Sequence, residues 1–286
     1  MKKANRFIRA ASVLSLGVLL ASCGGSPSAS SEKVLRIGLE CAYAPFNWTE
    51  PSSNDYTLPI ANQAGSYADG YDIQMAKKIE KLTGYRVEIY ATEWDSLIPD
   101  LQTNSIDAII AGMTDTEERR LSIDFTNEYY HSDLVLVGKK SLVDTYTGTT
   151  TEEFETLLSG KKLITQTGTI EDDIAAEFAK NYNAVHLNGL STYGAAAVDV
   201  NQGLADFVIA EKPVAQSYTA TMPNLATIDI PAEVIASHEA DLGVSIGIRK
   251  GDSALKDVLN GALAKISSDE RNSLMAEAVA RSSSLN

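Results

Sequence analysis

The stretch Ile110–Tyr130, IAGMTDTEERRLSIDFTNEYY, joins an apolar strand end to a loop of small, hydroxyl and charged residues. Ala108, Ile109 and Ile110 run into Gly112, Thr114 and Thr116; acids then precede Arg119 and Arg120, and a second short strand leads to Tyr129 and Tyr130. A strand end that releases backbone N–H groups, two hydroxyls and a guanidinium into one loop is a good receptor for a carboxylate. Taken alone, the same loop also fits a strand–helix turn with threonine caps and solvated arginines. Its surroundings decide between the two.

Working outward, the preceding segments alternate in type. Val34–Leu39 is a β-branched run that predicts a strand, and Gly70-Tyr71-Asp72 leads a helix whose Ile73, Ala76, Ile79 and Leu82 share a face up to Gly84. Arg86–Tyr90 predicts a second strand, Trp94–Gln102 a short helix containing Pro99, and Ile106–Ala111 a third strand. Between the first strand and helix, the loop after Leu39 carries Tyr43, Phe46 and Trp48. We expect Phe46 to pack the domain and Tyr43 and Trp48 to line a cleft. Thr49–Tyr67 is polar and predicts a surface excursion. The β-α-β-α-β order is that of a doubly wound α/β sheet, whose ligands sit at the carboxyl ends of the strands.

A second series follows. After the strand Leu134–Gly138 and a helical segment over Thr151–Leu158, Leu163–Thr165 leads into Gln166-Thr167-Gly168-Thr169-Ile170-Glu171 at the head of a helix. Free N–H groups there suit an anion, though an ordinary N-cap reads the same way. Strand Val185–Leu187, helix Tyr193–Val200 and strand Phe207–Ala210 repeat the alternation, and Glu211 closes the last strand. Its carboxylate suits an amine or a cap for the helix opening at Lys212-Pro213. Strand Leu242–Ile248 and the helices Ala254–Ile266 and Asp269–Arg281 complete the chain.

Composition bounds the function. The 286 residues are 44% hydrophobic and 22% charged, enough for one large or two medium domains with a substantial core. Net charge is −14, and losing Lys2, Lys3, Arg6 and Arg9 takes it to −18, which argues against nucleic acid or an anionic membrane as a partner of a broad basic face. Those four cations precede the apolar run ASVLSLGVLLA and the sequence Leu20-Ala21-Ser22-Cys23. The arrangement resembles a bacterial lipoprotein signal, residues 1–22, cleaved before an acylated Cys23, with residues 23–32 as a flexible tether. That implies an extracytoplasmic protein whose only membrane contact is its lipid. The remaining cysteine, Cys41, then has no disulfide partner, and His131, His186 and His238 have no metal-ligand spacing. No metal or cofactor is expected.

Six segments together resemble the family-3 solute-binding proteins of bacterial ABC importers for amino acids. They are LRIGLECAYAPFNW, GYDIQMAKKI, EWDSLIPDLQTNSIDAIIAGMTDTEERRLSIDFTNEYY, QTGTIED, ADFVIAEKPVA and SIGIRKGDSALKDVLNGALAKI. The resemblance implies a two-lobed α/β fold of the periplasmic-binding-protein type (type II), with a two-strand hinge and the ligand between the lobes. Lobe 1 is expected at 33–132 plus 235–286 and lobe 2 at 133–234. It implies that Arg119 pairs with a ligand α-carboxylate, with Thr114, Thr169 and the N–H of Ile170 beside it. Ile170 stands where many members have a second threonine. Gly112 and Glu211 would hold the α-ammonium, and Glu40, Tyr43, Trp48 and Trp94 would line the side-chain end. An acid at position 40 favours arginine, lysine or histidine, with a polar uncharged amino acid as the alternative. The implied partners are a free amino acid, an ABC permease and its ATPase, for a monomer. A sensory or adhesive role through the same cleft stays open. An enzyme is not expected, because no nucleophile–base pair is present.

Overall fold

The fold is taken from a computed structural model that describes residues 33–236 and 242–285; the signal and tether segments with Cys23, and His238, lie outside the described residues. In chain order the strands are β1 (Val34–Leu39), β2 (Ala42–Tyr43), β3 (Asn47–Glu50), β4 (Leu58–Pro59), β5 (Tyr67–Asp69), β6 (Arg86–Ala91), β7 (Ala108–Ile109), β8 (Ile123–His131), β9 (Leu134–Lys139), β10 (Lys162–Ile164), β11 (Val185–His186), β12 (Phe207–Glu211), β13 (Leu225–Asp229) and β14 (Gly243–Arg249).

Ten of them form two five-stranded sheets of matching design. In the first, the order is β6-β1-β7-β14-β8, with β1 parallel to β6 and β7, and β14 antiparallel to β7 and β8. The second runs β11-β10-β12-β9-β13, with β10 parallel to β11 and β12, and β9 antiparallel to β12 and β13. In each sheet the first parallel strand lies between the second and third, the doubly wound pattern the alternation predicts. The strand expected over Ile106–Ala111 has regular pairing at Ala108–Ile109 alone. Its flanks still follow β1: Asp107 N–H donates to the Arg36 carbonyl at 2.7 Å and Ile110 N–H to that of Gly38 at 3.2 Å.

Period-two alternation explains why these sheets need helices on both faces. Val135 and Val137 on β9 point into one apolar cluster, Leu134 and Leu136 into another; on β12, Val208 and Ala210 oppose Phe207 and Ile209 in the same way. The expectation of a surface excursion over Thr49–Tyr67 needs correction. Much of it is exposed, but β3, β4 and β5 pair with β2 into a four-stranded antiparallel sheet beside the first large sheet.

The chain passes between the sheets twice: through Ser132-Asp133 after β8, and between β13 and β14. The C-terminal helix Ser268–Ser282 ties the assembly together. Arg281 forks onto Asp69 of β5 at 2.8 and 2.9 Å, and the neighbouring Ser282 hydroxyl meets that of Ser217, on the helix after β12, at 2.6 Å.

Candidate functional site

Four carboxyl ends of parallel strands converge. β1 ends at Glu40, β7 leads into Gly112 and Thr114, β10 into Gln166 and Thr169, and β12 ends at Glu211. All six residues border one cavity, and Tyr43, Trp94, Arg119, Ile170, Glu171 and Tyr193 border it too. Nine of the ten residues singled out from sequence therefore meet in one place. Trp48 is the exception. It is buried on β3, its indole N–H donates to Glu50 at 2.8 Å and the Arg281 guanidinium lies 5.9 Å from its ring centre. Residue 48 follows Asn47, whose side chain turns into the domain, and strand geometry sends Trp48 the other way, towards the C-terminal helix.

The loop after β7 depends on a buried polar network that sequence reading missed. Asp72, fully buried, accepts from Tyr129 Oη at 2.7 Å and Asn47 Nδ2 at 2.8 Å. Tyr129 Oη in turn accepts from the Gly112 N–H at 3.0 Å, and Asn47 Oδ1 accepts from the Cys41 N–H at 2.8 Å. One carboxyl thus fixes both cavity loops of the first sheet. Burial pushes it up to about 7, against the pull of the Tyr129 and Asn47 donors. Gly112 has φ of +63°, and a side chain there would begin 3.1 Å from the Tyr43 ring, so the position is reserved for glycine.

Arg119 is placed by the short helix Glu117–Arg120, which Thr116 caps by accepting from the Arg119 N–H at 3.2 Å. Its guanidinium donates to the Thr114 carbonyl at 2.9 Å, to the Thr114 hydroxyl, and to the Gly168 carbonyl at 3.1 Å, and it lies 5.2 Å from the Trp94 ring centre. Each of these acceptors is uncharged. Desolvation lowers the Arg119 pKa, opposed chiefly by the charge of Glu171. Arg120 points elsewhere and forks onto Asp115 at 2.6 and 2.8 Å. Geometry separates the two arginines where composition could not.

From the second sheet, Thr169 caps the helix Ile170–Tyr182, accepting from the Asp172 N–H at 3.3 Å while donating to the Gln166 carbonyl at 2.9 Å. It is an N-cap and a cavity residue at once. Glu211 does not cap the following helix: it makes no side-chain cap hydrogen bond, and its carboxyl instead accepts across the cleft from the hydroxyl of Tyr43 on β2. Burial and the charge of Glu171 push Glu211 up to about 8, while the Tyr43 donor pulls it back. Glu40 accepts from Gln166 Nε2 at 2.7 Å; burial lifts it to about 7, with Gln166 lowering and Asp95 raising it. Trp94 Nε1 donates to the Gly168 carbonyl at 3.1 Å, so among the described residues four hydrogen bonds bridge the cleft around the cavity.

The inner cavity has a free volume of about 20 Å³. Past Glu40 and Trp94, which border both spaces, an outer chamber of about 410 Å³ is lined by Glu93 and Asp95 as well as Thr92 and Ser191. Gln166, Glu171 and Tyr193 were not anticipated. Gln166 lies one residue before the Thr167-Gly168 turn already flagged, and Tyr193 follows Thr192, an N-cap after β11; a systematic look at caps after parallel strands would have found both. Among the described residues, no three acidic, histidine or cysteine side chains cluster as metal ligands, and no helix is long and apolar enough to cross a membrane.

The family model of bacterial extracellular solute-binding proteins, family 3, matches residues 35–278. The chain belongs to that family. It is 29% identical over 253 residues to the arginine-binding extracellular protein ArtP of Bacillus subtilis, covering 85% of this chain and 86% of that protein. Identity to the L-arginine-binding protein of Pseudomonas aeruginosa is also 29%, over 250 residues, with 87% and 88% covered. Among solved structures, the substrate-binding protein AbpA of Streptococcus pneumoniae bound to L-arginine superposes with a TM-score of 0.70 at 25% identity, covering 88% of this chain and 96% of that one. This family-3 protein thus shares the two-lobed α/β architecture of amino-acid ABC substrate-binding proteins, with the cavity between its two sheets. The relatives matched are binding proteins, and the family is extracellular.

Proposed function

We propose that the cleft captures a free L-amino acid with a cationic side chain, arginine foremost, and that the closed protein delivers it to an ABC permease and its ATPase. The observation that carries this reading is the Arg119 guanidinium, whose hydrogen bonds among the described residues all go to uncharged oxygens beside a helix N-terminus. A carboxylate would meet both a planar fork and free N–H groups there. Glu211 stands across the same cavity for the α-ammonium. Glu40, with Glu93 and Asp95 in the outer chamber, favours a positive side chain lying along Trp94.

A volume of about 20 Å³ holds about one water molecule, so an amino acid enters only when the sheets part. The lobes that move are residues 33–132 with 235–286, and 133–234; ligand contacts from both then shift the population towards closure. The protein works as a monomer outside the cytoplasm, held by a lipid on Cys23, and binds without turning its ligand over.

Glu40 also supports a second reading. Lifted to about 7, it is partly neutral at physiological pH and bonded to an amide, an environment that suits a polar uncharged side chain. A thermal-shift screen with the twenty amino acids separates the two, since a ligand that binds only the folded state raises Tm. Arginine, lysine or histidine giving the largest shift supports the first reading; glutamine or asparagine leading supports the second. Shifts from none of the twenty would overturn both. Labelling of Cys23 by a fatty-acid probe in cells, lost in C23A, tests the anchor.

A further inference from the structure

Gln166 follows β10 in the second sheet, Glu40 follows β1 in the first, and a side-chain hydrogen bond joins them across the cleft. Gln166 Nε2 donates to Glu40 Oε1 at 2.7 Å and to the Ser191 carbonyl at 2.9 Å. The Ser191 contact fixes which end of the amide faces Glu40. A carbonyl only accepts, so the group between Ser191 and Glu40 is the NH2, with both of its hydrogens committed. Gln166 is 2% exposed, and its backbone is bridged to Leu190, whose carbonyl accepts from the Thr167 N–H at 3.0 Å and whose N–H donates to the Thr165 carbonyl at 2.9 Å.

Gln166 takes Glu40 Oε1, while Oε2 accepts no side-chain hydrogen bond among the described residues, and Glu40 borders both the inner cavity and the outer chamber. Burial pushes its carboxyl up, the Gln166 donor pulls it down and the Asp95 charge adds to the rise. At this contact Gln166 offers hydrogens only, and a hydrogen bond to a charged oxygen is about twice as strong as one to a neutral oxygen. The amide therefore favours the ionised carboxylate, and only while the two lobes are together. We propose that Gln166 is a positioning residue for specificity: donating to Glu40 across the closed cleft, it holds that carboxylate charged with its second oxygen left for a cationic ligand side chain. It acts through Glu40 and needs no contact with the ligand. Beside a neutral side chain Glu40 can take up a proton and give up the charge-assisted part of the bond; beside a guanidinium the same step forfeits the ion pair. Selection for a cation is thus exercised on closing rather than on first contact. This inference rests on the cationic reading of the cleft.

Calorimetric titration tests it with arginine and with citrulline, which has the shape of arginine and a neutral urea group in place of the guanidinium. The proteins are the wild type, Q166L, E40Q and the two substitutions combined. Q166L loses roughly three- to tenfold more affinity for arginine than for citrulline. In the E40Q background there is no carboxylate to hold, so adding Q166L lowers both ligands alike and the arginine-to-citrulline ratio stays where E40Q left it. A side chain that served packing alone would lower both ligands equally in both backgrounds. If Q166L melts early without ligand, Q166M, closer in shape to glutamine and equally without a donor, replaces it. The inference is overturned if the Gln166 substitution leaves the ratio at its wild-type value, or if it changes the ratio as much in E40Q as in the wild type. A wild type that binds arginine no better than citrulline overturns the cationic reading itself.

Discussion

Replacing Arg119 by alanine separates binding from folding more sharply than any other change in the cleft. The guanidinium would give a carboxylate two charge-assisted hydrogen bonds, each worth roughly 1.5–3 kcal/mol. Losing both costs roughly 3–6 kcal/mol, or about 10²- to 10⁴-fold in Kd. The fold itself loses little. Arg119 donates to neutral oxygens and stacks near Trp94, while its lowered pKa records a charge held against desolvation. These effects offset, and stability without ligand should change by no more than about 1 kcal/mol.

A melting assay reads both quantities. Ligand at about 1,000 times the wild-type Kd stabilises by roughly 4 kcal/mol, which for a chain of this size raises Tm by about 8–16 °C. For R119A at the same concentration the ratio falls to between about 10 and 0.1, so the shift drops to roughly 3–6 °C or disappears. Calorimetry gives the affinities directly. An R119A protein with unchanged ligand shift refutes the carboxylate assignment. One that melts far below wild type without ligand refutes the view that Arg119 serves binding and not the fold.

Three further outcomes are expected. E40Q removes the acid at the doorway to the outer chamber, so affinity for arginine falls by roughly tenfold while that for glutamine holds or rises; equal losses for both, measured by calorimetry, would dissociate Glu40 from side-chain choice. Asp72 is a carboxyl whose folded pKa, about 7, lies above its unfolded value, so the folded state binds more protons and stability falls as pH rises from about 4 to about 7, by at most roughly 4 kcal/mol. Urea unfolding of D72N, which has no charge to bury, should show a smaller drop between pH 5 and pH 8 than wild type, and an equal drop would count against this account. Of the two tryptophans, Trp94 donates across the cleft to Gly168 and Trp48 is buried away from it, so ligand should change the emission of wild type and leave W94F silent.

The fold was legible because its signals are local and repeated: strands of β-branched residues, helices begun by Thr or Gly, and functional residue types placed after strand ends. That regularity also located the cavity, since the carboxyl ends of β1, β7, β10 and β12 had to face one crevice once two doubly wound units were recognised. What stayed open or went unseen were choices that depend on direction. Whether Glu211 caps its helix or faces the cleft depends on Tyr43, distant in sequence and contributed by β2 of the small antiparallel sheet. Trp48 turned away because strand β3 sets its side. Asp72 was invisible as a partner because its role depends on Asn47 and Tyr129, which meet only in the folded core. Glu171 lay within a quoted motif, yet an acid in the first turn of a helix is ordinarily solvated, and its burial at 4% exposure is a tertiary fact.

If an amino acid binds as proposed, closure and binding share atoms in this cleft. The Gly168 carbonyl accepts from both Trp94 and Arg119, and its backbone reaches that position at φ of +74°, a conformation natural to glycine. A ligand carboxylate that takes the Arg119 fork competes for the N–H now given to Gly168, and a ligand ammonium at Glu211 competes with the Tyr43 hydroxyl. On the proposed binding mode, ligand contacts would not simply add to a pre-existing seal; they would replace part of it. The gain on closing with ligand is the difference between the two sets of bonds. The Trp94–Gly168 and Glu40–Gln166 bridges, which use neither the Arg119 fork nor Glu211, are the part of the seal that a bound amino acid can leave in place. Substitutions there should change how readily the lobes close without changing which end of the ligand faces which lobe.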